Sequence, residues 1–515
     1  MVNNYFNYLY PSQLTTMLMK NFILLFIAII FMGIPHANVF AQTANGGIYA
    51  DTNNLLIIKV GGTHHERGIA QGELLGSKIT DIMHNYVKPQ FGSSTLYNQV
   101  RAIVSAGSLF SIDSVFIEEA KGVIIGMNYS NTNTQNLDYV DIILANCILD
   151  IQSILQAKEG MECSSLMSWG NATANGDLNG KSIITRHLDW IIDPVLTRNQ
   201  VMVIHIPSEV DEQPWAEVGF AGMISVLSGF NSNIGVFQHM MSDDNSHGVL
   251  NGNYEPIWFT LRKAIEKVDP NQDGKNNVND VKHYINNQPQ GFADGYIISA
   301  LARSTEIHDS LVAMVAEIAS APPFITYRSN AYADSIPSDN LYTANNQIAR
   351  NNSMNLCFRY NGVKNNIGNG TTMSLDNNRD LMADYSHLNS NYQFMTFVPE
   401  NDLFRISIRD NIAAYLSDDM DLNIIDLFED NVFIEPTLTI RNKEFYIYPN
   451  PTTESINIDA DYKSYLYQII DNSGRIIQQG NLHSKTINVE NIANGFYHLI
   501  VFNEDKMQNT SFIKR

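Results

Sequence analysis

Glu162-Cys163-Ser164-Ser165-Leu166-Met167-Ser168-Trp169-Gly170 runs through the segment Asn171–Lys181 into Ser182-Ile183-Ile184-Thr185-Arg186-His187-Leu188-Asp189-Trp190. Two apolar runs bracket a segment whose centre, Ala174-Asn175-Gly176-Asp177, is turn chemistry, so Cys163–Gly170 and Ser182–Trp190 read as paired strands. With the turn centred near Asn175–Asn179, Cys163 falls opposite the residues around Asp189, give or take a bulge. The hairpin thereby gathers a thiol, the forked donors of Arg186 and the carboxylate of Asp189. Two interpretations fit that gathering. In one, Cys163 is a nucleophile with polar support; in the other, it is an inert buried residue beside a surface ion pair.

The first interpretation has a chemical logic. A thiol titrates near about 8.5 and an α-amino group near about 7.7–8.0, so the amine is a base matched to neutral pH. Cutting the Glu162–Cys163 bond would place nucleophile and base on one residue.

Upstream of the hairpin, Asn54–Lys59 reads as a strand and Gly61-Gly62-Thr63 as a turn. Helical periodicity follows over Glu66–Tyr86 and again from Ser111 to Lys158, with a polar break at Asn128–Asn136. Residues 42–162 therefore form a mainly helical region. Downstream, strands are expected at Val201–Ile206, Trp215–Phe220, Met223–Leu227, Gly235–Met240, Tyr296–Leu301, Leu311–Ile318 and Phe324–Tyr327. Helices are expected at Pro256–Lys267 and Val278–Asn286. The pattern is that of an α+β layered body over 163–438. Past Thr439 short alternating strands with the turn Asn472-Ser473-Gly474 suggest a small β-sandwich over 439–515.

Composition narrows the function. The 515 residues carry a net charge of −21, with no basic stripe of the kind nucleic acid requires. Residues 1–41 read as a signal peptide: Lys20, the apolar run Phe22–Ile34, then Val39-Phe40-Ala41 before Gln42. No later run is comparably apolar, so an integral membrane protein is not expected. Three cysteines, Cys147, Cys163 and Cys357, leave at least one thiol unpaired.

Cys163-Ser164-Ser165, Trp169-Gly170-Asn171-Ala172-Thr173 and Arg186-His187-Leu188-Asp189-Trp190 together resemble the penicillin acyltransferase-like N-terminal-nucleophile hydrolases. Bile salt hydrolases, acid ceramidase and N-acylethanolamine acid amidase are related to them. Gly62-Thr63-His64-His65-Glu66-Arg67-Gly68-Ile69-Ala70-Gln71-Gly72 resembles the entry motif of their pro-region, and the likeness extends from about Leu55 to Ile408. The resemblance implies a four-layer αββα sandwich and self-cleavage between Glu162 and Cys163. It makes Cys163 the nucleophile and gives Arg186 and Asp189 to the substrate end and the new amine. Leu341-Tyr342-Thr343-Ala344-Asn345-Asn346 resembles the strand bearing an oxyanion asparagine, with Asn345 chosen and Asn346 one register away. Phe358-Arg359-Tyr360 resembles a late motif in which Arg359 supports the nucleophile. Gly229-Phe230-Asn231-Ser232-Asn233-Ile234-Gly235 departs from the family pattern, leaving Gln238, His239 and Met241 all open as the second oxyanion position.

Two further motifs stand apart. Asp269, Asn271, Asp273, Lys275, Asn277 and Asp280 occupy positions one, three, five, seven, nine and twelve of a calcium-type loop, with Gly274 at six and Lys275 offering its carbonyl. The loop is similar to a single dockerin-type loop, and a polar helix–helix connection is the alternative. Tyr448-Pro449-Asn450-Pro451, Asp471-Asn472-Ser473-Gly474-Arg475, Asn494-Gly495-Phe496-Tyr497 and terminal Lys514-Arg515 resemble a type IX secretion system sorting domain. That resemblance implies handling by the type IX machinery, passage through the periplasm and a secreted or cell-surface destination.

The expected activity is hydrolysis of a small non-peptide acyl-amide through a thioester, needing no catalytic cofactor, with calcium in a structural role. Acyl transfer to an amine, ester hydrolysis, and an inert calcium-binding surface protein are the alternatives.

Overall fold

The computed structural model describes residues 42–43, 45–52, 54–155, 162–241, 248–304, 311–319, 325–329, 336–349, 357–429, 439–441, 446–459, 465–471, 475–482, 485–502 and 507–515. The expected signal peptide and the Asn472-Ser473-Gly474 turn lie outside them.

Strands β1 (Gln42–Thr43), β2 (Gly46–Thr52) and β3 (Leu55–Gly62) open the chain. Thr63 then starts α1 (His64–Ile82) with a reciprocal cap: its hydroxyl accepts the Glu66 N–H, and Glu66 Oε2 accepts the Thr63 N–H. The cap sets the helix start two residues before the expected Glu66. Helices α2 (Ser94–Ser105), α3 (Ser114–Tyr129), α4 (Tyr139–Asn146) and α5 (Ile148–Ile154) follow, and the polar break falls between α3 and α4. The entry-motif glycines serve a close crossing of α1 and α3. A Cβ on Gly72 would stand 2.0 Å from the Val123 carbonyl oxygen, and one on Gly126 would stand 2.0 Å from that of Ile69.

The hairpin is β4 (Glu162–Ser168) and β5 (Ile183–Asp189), followed by α6 (Pro194–Arg198). Next come β6 (Gln200–Pro207), β7 (Trp215–Phe220), β8 (Ser228–Asn231) and β9 (Ile234–Met240). Helices α7 (Ile257–Glu266) and α8 (Val278–Asn286) precede β10 (Tyr296–Ala302), β11 (Ala313–Ile318), β12 (Ile325–Ser329) and β13 (Asn340–Thr343). The body closes with α9 (Phe358–Asn366), α10 (Leu375–Tyr385), β14 (Asn391–Val398), β15 (Leu403–Ile408), β16 (Asp419–Asn423), α11 (Ile424–Phe428) and β17 (Thr439–Arg441). Met223–Leu227, expected as a strand, is not one. Its N–H groups are claimed elsewhere: Ile224 donates to Asn146 Oδ1 and Val226 to the Trp258 carbonyl, so the ladder begins only at Ser228.

Among the described residues the strands form a ten-stranded sheet, β1-β2-β3-β6-β7-β8-β9-β10-β11-β12, and a seven-stranded sheet, β13-β4-β5-β14-β15-β16-β17. The protein is thus a mixed α+β body with two large sheets. In the first, β3 runs parallel to β6, from Leu56 beside Val201 to Gly62 beside Pro207. Residues on both sides of Glu162 therefore share one sheet, and the region 42–162 is helical with a three-stranded contribution to it.

The sheets face each other: Phe230 of β8 stacks on Phe404 of β15, ring centroids 4.3 Å apart, and Ser165 of β4 meets His239 of β9. On the other side of β4, Leu166 packs in a cluster with Tyr342, Tyr360, Val363, Met382 and Phe394, under α9 and α10. Alternation along β4 thus sends Ser165 between the sheets and Leu166 toward the helices.

Residues 446–515 contain a three-stranded and a four-stranded sheet: β18 (Tyr446–Tyr448), β19 (Ser455–Asp459), β20 (Tyr465–Asp471), β21 (Ile476–Leu482), β22 (Thr486–Asn488), β23 (Gly495–Phe502) and β24 (Met507–Lys514). Ile456, Ile458 and Ile487 from one sheet share a core with Ile469, Leu499 and Phe512 from the other.

Candidate active site

The hairpin register sets Glu162 opposite Asp189, Cys163 opposite Leu188 and Ser165 opposite Arg186. Cys163 is fully buried and, like Cys147 and Cys357, unpaired. Arg186 is fully buried too and spends its guanidinium on three acceptors. Nη1 donates to Ser228 Oγ at 2.7 Å, while Nη2 reaches the Gln238 carbonyl at 2.8 Å and Cys163 Sγ at 3.4 Å. Burial pushes the Cys163 thiol up, and the Arg186 cation works against that push.

Two distant residues complete the constellation. Strand β13 pairs with β4, setting Thr343 opposite Ser165, and two residues further on Asn345 Oδ1 accepts the Cys163 N–H at 3.0 Å. Asn345, not Asn346, makes that contact; its Nδ2 donates to the Met240 carbonyl at 2.7 Å. Arg359, the second residue of α9, donates through Nη2 to Asn345 Oδ1 at 2.9 Å and through Nη1 to the Cys163 carbonyl at 3.3 Å. It also pairs with the half-exposed Glu162 at 3.0 Å and stands 3.7 Å from Asp189. Asp189 is buried, and its carboxyl is pushed up to about 7 by that burial, with Arg359 pulling the other way. Cys163, Arg186, Asp189, Asn345 and Arg359 thus meet around one peptide unit.

Of the three second-position candidates, Gln238 has its side-chain oxygen on Trp258 Nε1, and the Met241 N–H goes to the Gly295 carbonyl. His239 lies closest to the nucleophile strand, its Nε2 3.2 Å from both Ser165 Oγ and Ser299 Oγ. Burial holds it neutral, well below the ordinary imidazole range.

Sequence reasoning missed Ser228 and the Met240 carbonyl as supports; only the neighbouring Gly229-Phe230-Asn231 motif hinted at the first. It also missed why the entry motif carries His64 and Arg67. His64 is wedged between Glu119 at 2.7 Å and Glu212 at 2.9 Å, and Arg67 pairs with Glu209 and Glu212. Arg262 joins Glu119 and Glu266 to the same network. His64, Glu212 and Glu266 are close enough to hold a metal, yet each is already neutralised by Arg67, Lys267, Arg262 or a partner carboxylate. A small apolar pocket is lined by Trp190, Trp258, Phe220, Met223, Leu196 and Tyr86, and by none of the Cys163 constellation. The calcium-type loop is elsewhere: Asp269, Asn271, Asp273, Lys275, Asn277 and Asp280 lie on the connection from α7 to α8, contributing nothing to the Cys163 constellation.

Residues 446–515 match the family model of the secretion system C-terminal sorting domain. That tail implies handling by the type IX secretion machinery and export. No helix among the described residues is long and apolar enough to cross a membrane. The chain is 21% identical over 245 residues to protein dcd1B of Dictyostelium discoideum, covering 44% of this chain and 46% of that one. It is 26% identical over 248 residues to protein dcd1A of the same organism, covering 44% and 53%. The chain thus spans about half the length of these curated relatives. Among solved structures it is similar to a Caenorhabditis elegans N-acylethanolamine-hydrolyzing acid amidase ortholog, with 13% identity, a TM-score of 0.34, and 46% of this chain and 93% of that one covered.

Proposed function

We propose that this protein is an exported cysteine N-terminal-nucleophile amidohydrolase that opens its own chain before Cys163. The observation that carries the reading is the convergence of Arg186, Asn345 and Arg359 on the sulfur, nitrogen and carbonyl of one fully buried cysteine. An inert core cysteine has no use for two buried guanidinium groups, whose desolvation is costly. The motif resemblance to penicillin acyltransferase-like proteins and their αββα sandwich supports the same reading.

In the self-cleavage step Cys163 Sγ attacks the Glu162 carbonyl carbon, and the Glu162–Cys163 C–N bond breaks to leave a thioester. Water hydrolyses the thioester, releasing the Glu162 carboxylate and a free Cys163 amine and thiol. That amine then takes the thiol proton, and the thiolate attacks the acyl carbon of a small amide. Asn345 keeps the amine in place through Oδ1, and its Nδ2 exchanges the Met240 carbonyl for the developing oxyanion. The proton passes to the departing nitrogen, and water resolves the acyl-enzyme.

Denaturing electrophoresis with N-terminal sequencing tests the reading. A new N-terminus beginning Cys163-Ser164-Ser165 is expected, absent in Cys163→Ala. Full amide hydrolysis by Cys163→Ala would overturn it. Adding an amine acceptor and analysing products separates hydrolysis from acyl transfer, since transfer makes a new amide. The tail favours secretion or surface display, with its removal seen as loss of residues 446–515 from the exported form.

A further inference from the structure

We propose that Glu317 and Arg328, a buried ion pair outside the Cys163 constellation, are positioning residues that hold Asn345 against the Cys163 backbone; this rests on the catalytic reading above.

Asn345 lies beyond regular structure. The ladder between β13 and β4 ends where Thr343 faces Ser165, so no strand pairing fixes the residues after it. Yet Asn345 presents both ends of its amide at once, Oδ1 to the Cys163 N–H and Nδ2 to the Met240 carbonyl. Two tethers flank it. Upstream, Arg328 Nη1 donates to the Tyr342 carbonyl at 3.1 Å. Downstream, Glu317 Oε1 accepts the N–H groups of Ile348 at 2.6 Å and Ala349 at 3.0 Å.

The two tethers are one unit. Glu317 sits opposite Thr326 and Arg328 opposite Val315, so both side chains leave the β11–β12 pair on the same face. They are fully buried, with Arg328 Nε 3.3 Å from Glu317 Oε1. Among the described residues β12 is the last strand of the ten-stranded sheet and β13 the first of the seven-stranded one. The pair thus reaches from the edge of one sheet to the edge of the other and grips the chain on either side of Asn345. Apolar residues in place of a buried ion pair are often neutral or stabilising for a fold. What they cannot do is fix backbone N–H and C=O groups. Such fixing matters here, because a shift of about 1 Å in a reacting geometry costs on the order of 10²-fold in rate.

Self-cleavage reads the effect without knowledge of the substrate. The full chain and its variants, made by cell-free translation with labelled methionine, are followed by denaturing electrophoresis for the rate at which the Cys163 fragment appears. Glu317→Gln keeps one acceptor oxygen and loses the charge facing Arg328, so cleavage should slow by about 3–10-fold; Glu317→Ala should slow it by about 10–100-fold. In an Asn345→Ala chain, which retains the Arg186 and Arg359 contacts to Cys163, adding Glu317→Gln should change the rate by less than about twofold, because nothing is left to place. Hydrogen exchange in Glu317→Gln should quicken at 344–349 and not across the sheets. Should Asn345→Ala fail to cleave or Glu317→Ala fail to fold, that exchange map decides. An unchanged rate in Glu317→Ala would overturn the proposal. So would equal slowing by Glu317→Gln in both backgrounds, or exchange quickened throughout, since either marks a residue that only stabilises the fold. A wild-type chain that never cleaves would remove the catalytic reading and this one with it, whereas normal cleavage in the Glu317 variants would remove this one alone.

Discussion

Cys163 and Asn345 lie 182 positions apart in the chain, and the backbone nitrogen of the first donates directly to the side-chain oxygen of the second. In the proposed mechanism the same amide serves the intact chain as an acceptor and, by its other atom, the acyl-transfer step as a donor. The two duties are separable. Asn345→Asp keeps the acceptor and loses the donor, so self-cleavage should persist while kcat falls by about 10²–10³-fold. Electrophoresis and steady-state kinetics on one preparation check both halves. Equal loss of the two activities would contradict the division.

Arg186 is the only cation within hydrogen-bonding distance of the Cys163 sulfur among the described residues. Arg186→Gln should move the pH midpoint of self-cleavage upward by about 1–3 units, because the thiolate loses its counter-charge. It should also destabilise the fold by about 1–3 kcal/mol for each buried acceptor left unpaired at Ser228 and Gln238. Rates of fragment appearance across pH, with denaturant melts alongside, measure the two effects.

Asp189 titrates near 7 in the folded chain because it is buried, against about 3.9 when unfolded. The native state then holds the proton more tightly, so this group's contribution to stability is full below about pH 4 and is lost as pH rises toward 7. Asp189→Asn cannot ionise. Its stability relative to wild type should therefore improve steadily from pH 4 to pH 8, in paired denaturation curves. A flat difference would show that Asp189 is already ionised at low pH.

How much of this was open to sequence reasoning differs by element. The hairpin is legible because Asn and Gly mark its turn and two β-rich runs flank it, which together place the register to within a residue or so. That reading sets Cys163 opposite the residues around Asp189, give or take a bulge, and the observed pairing is Cys163 with Leu188 and Glu162 with Asp189. Helix α9 is the opposite case. Its sequence, Phe358–Asn366, buries only Arg359, Tyr360 and Val363, so no apolar stripe announces it. Arg359 reaches Cys163 through tertiary packing alone, and only the motif resemblance singled it out. The Met223–Leu227 segment misleads because its residues suit a strand, whereas distant side chains and carbonyls take its N–H groups.

Gly72→Ala should be among the most damaging single-methyl changes in the N-terminal region. Its Cβ would meet backbone, which cannot rotate away as a side chain can, so α1 must lift from α3. Overpacking of this kind costs about 1–3 kcal/mol or more. Urea denaturation of Gly72→Ala against wild type measures it. An unchanged midpoint would mean that the crossing is looser than 2.0 Å implies.

The parallel union of β3 with β6 changes what a backbone nick at residue 162 means for the life of the molecule. The two products would stay laced through one sheet and migrate as a single particle until denatured. Once parted, they must find each other again in solution, so recovery becomes second order and falters on dilution. The protein would then persist outside the cell by unfolding slowly rather than by refolding well.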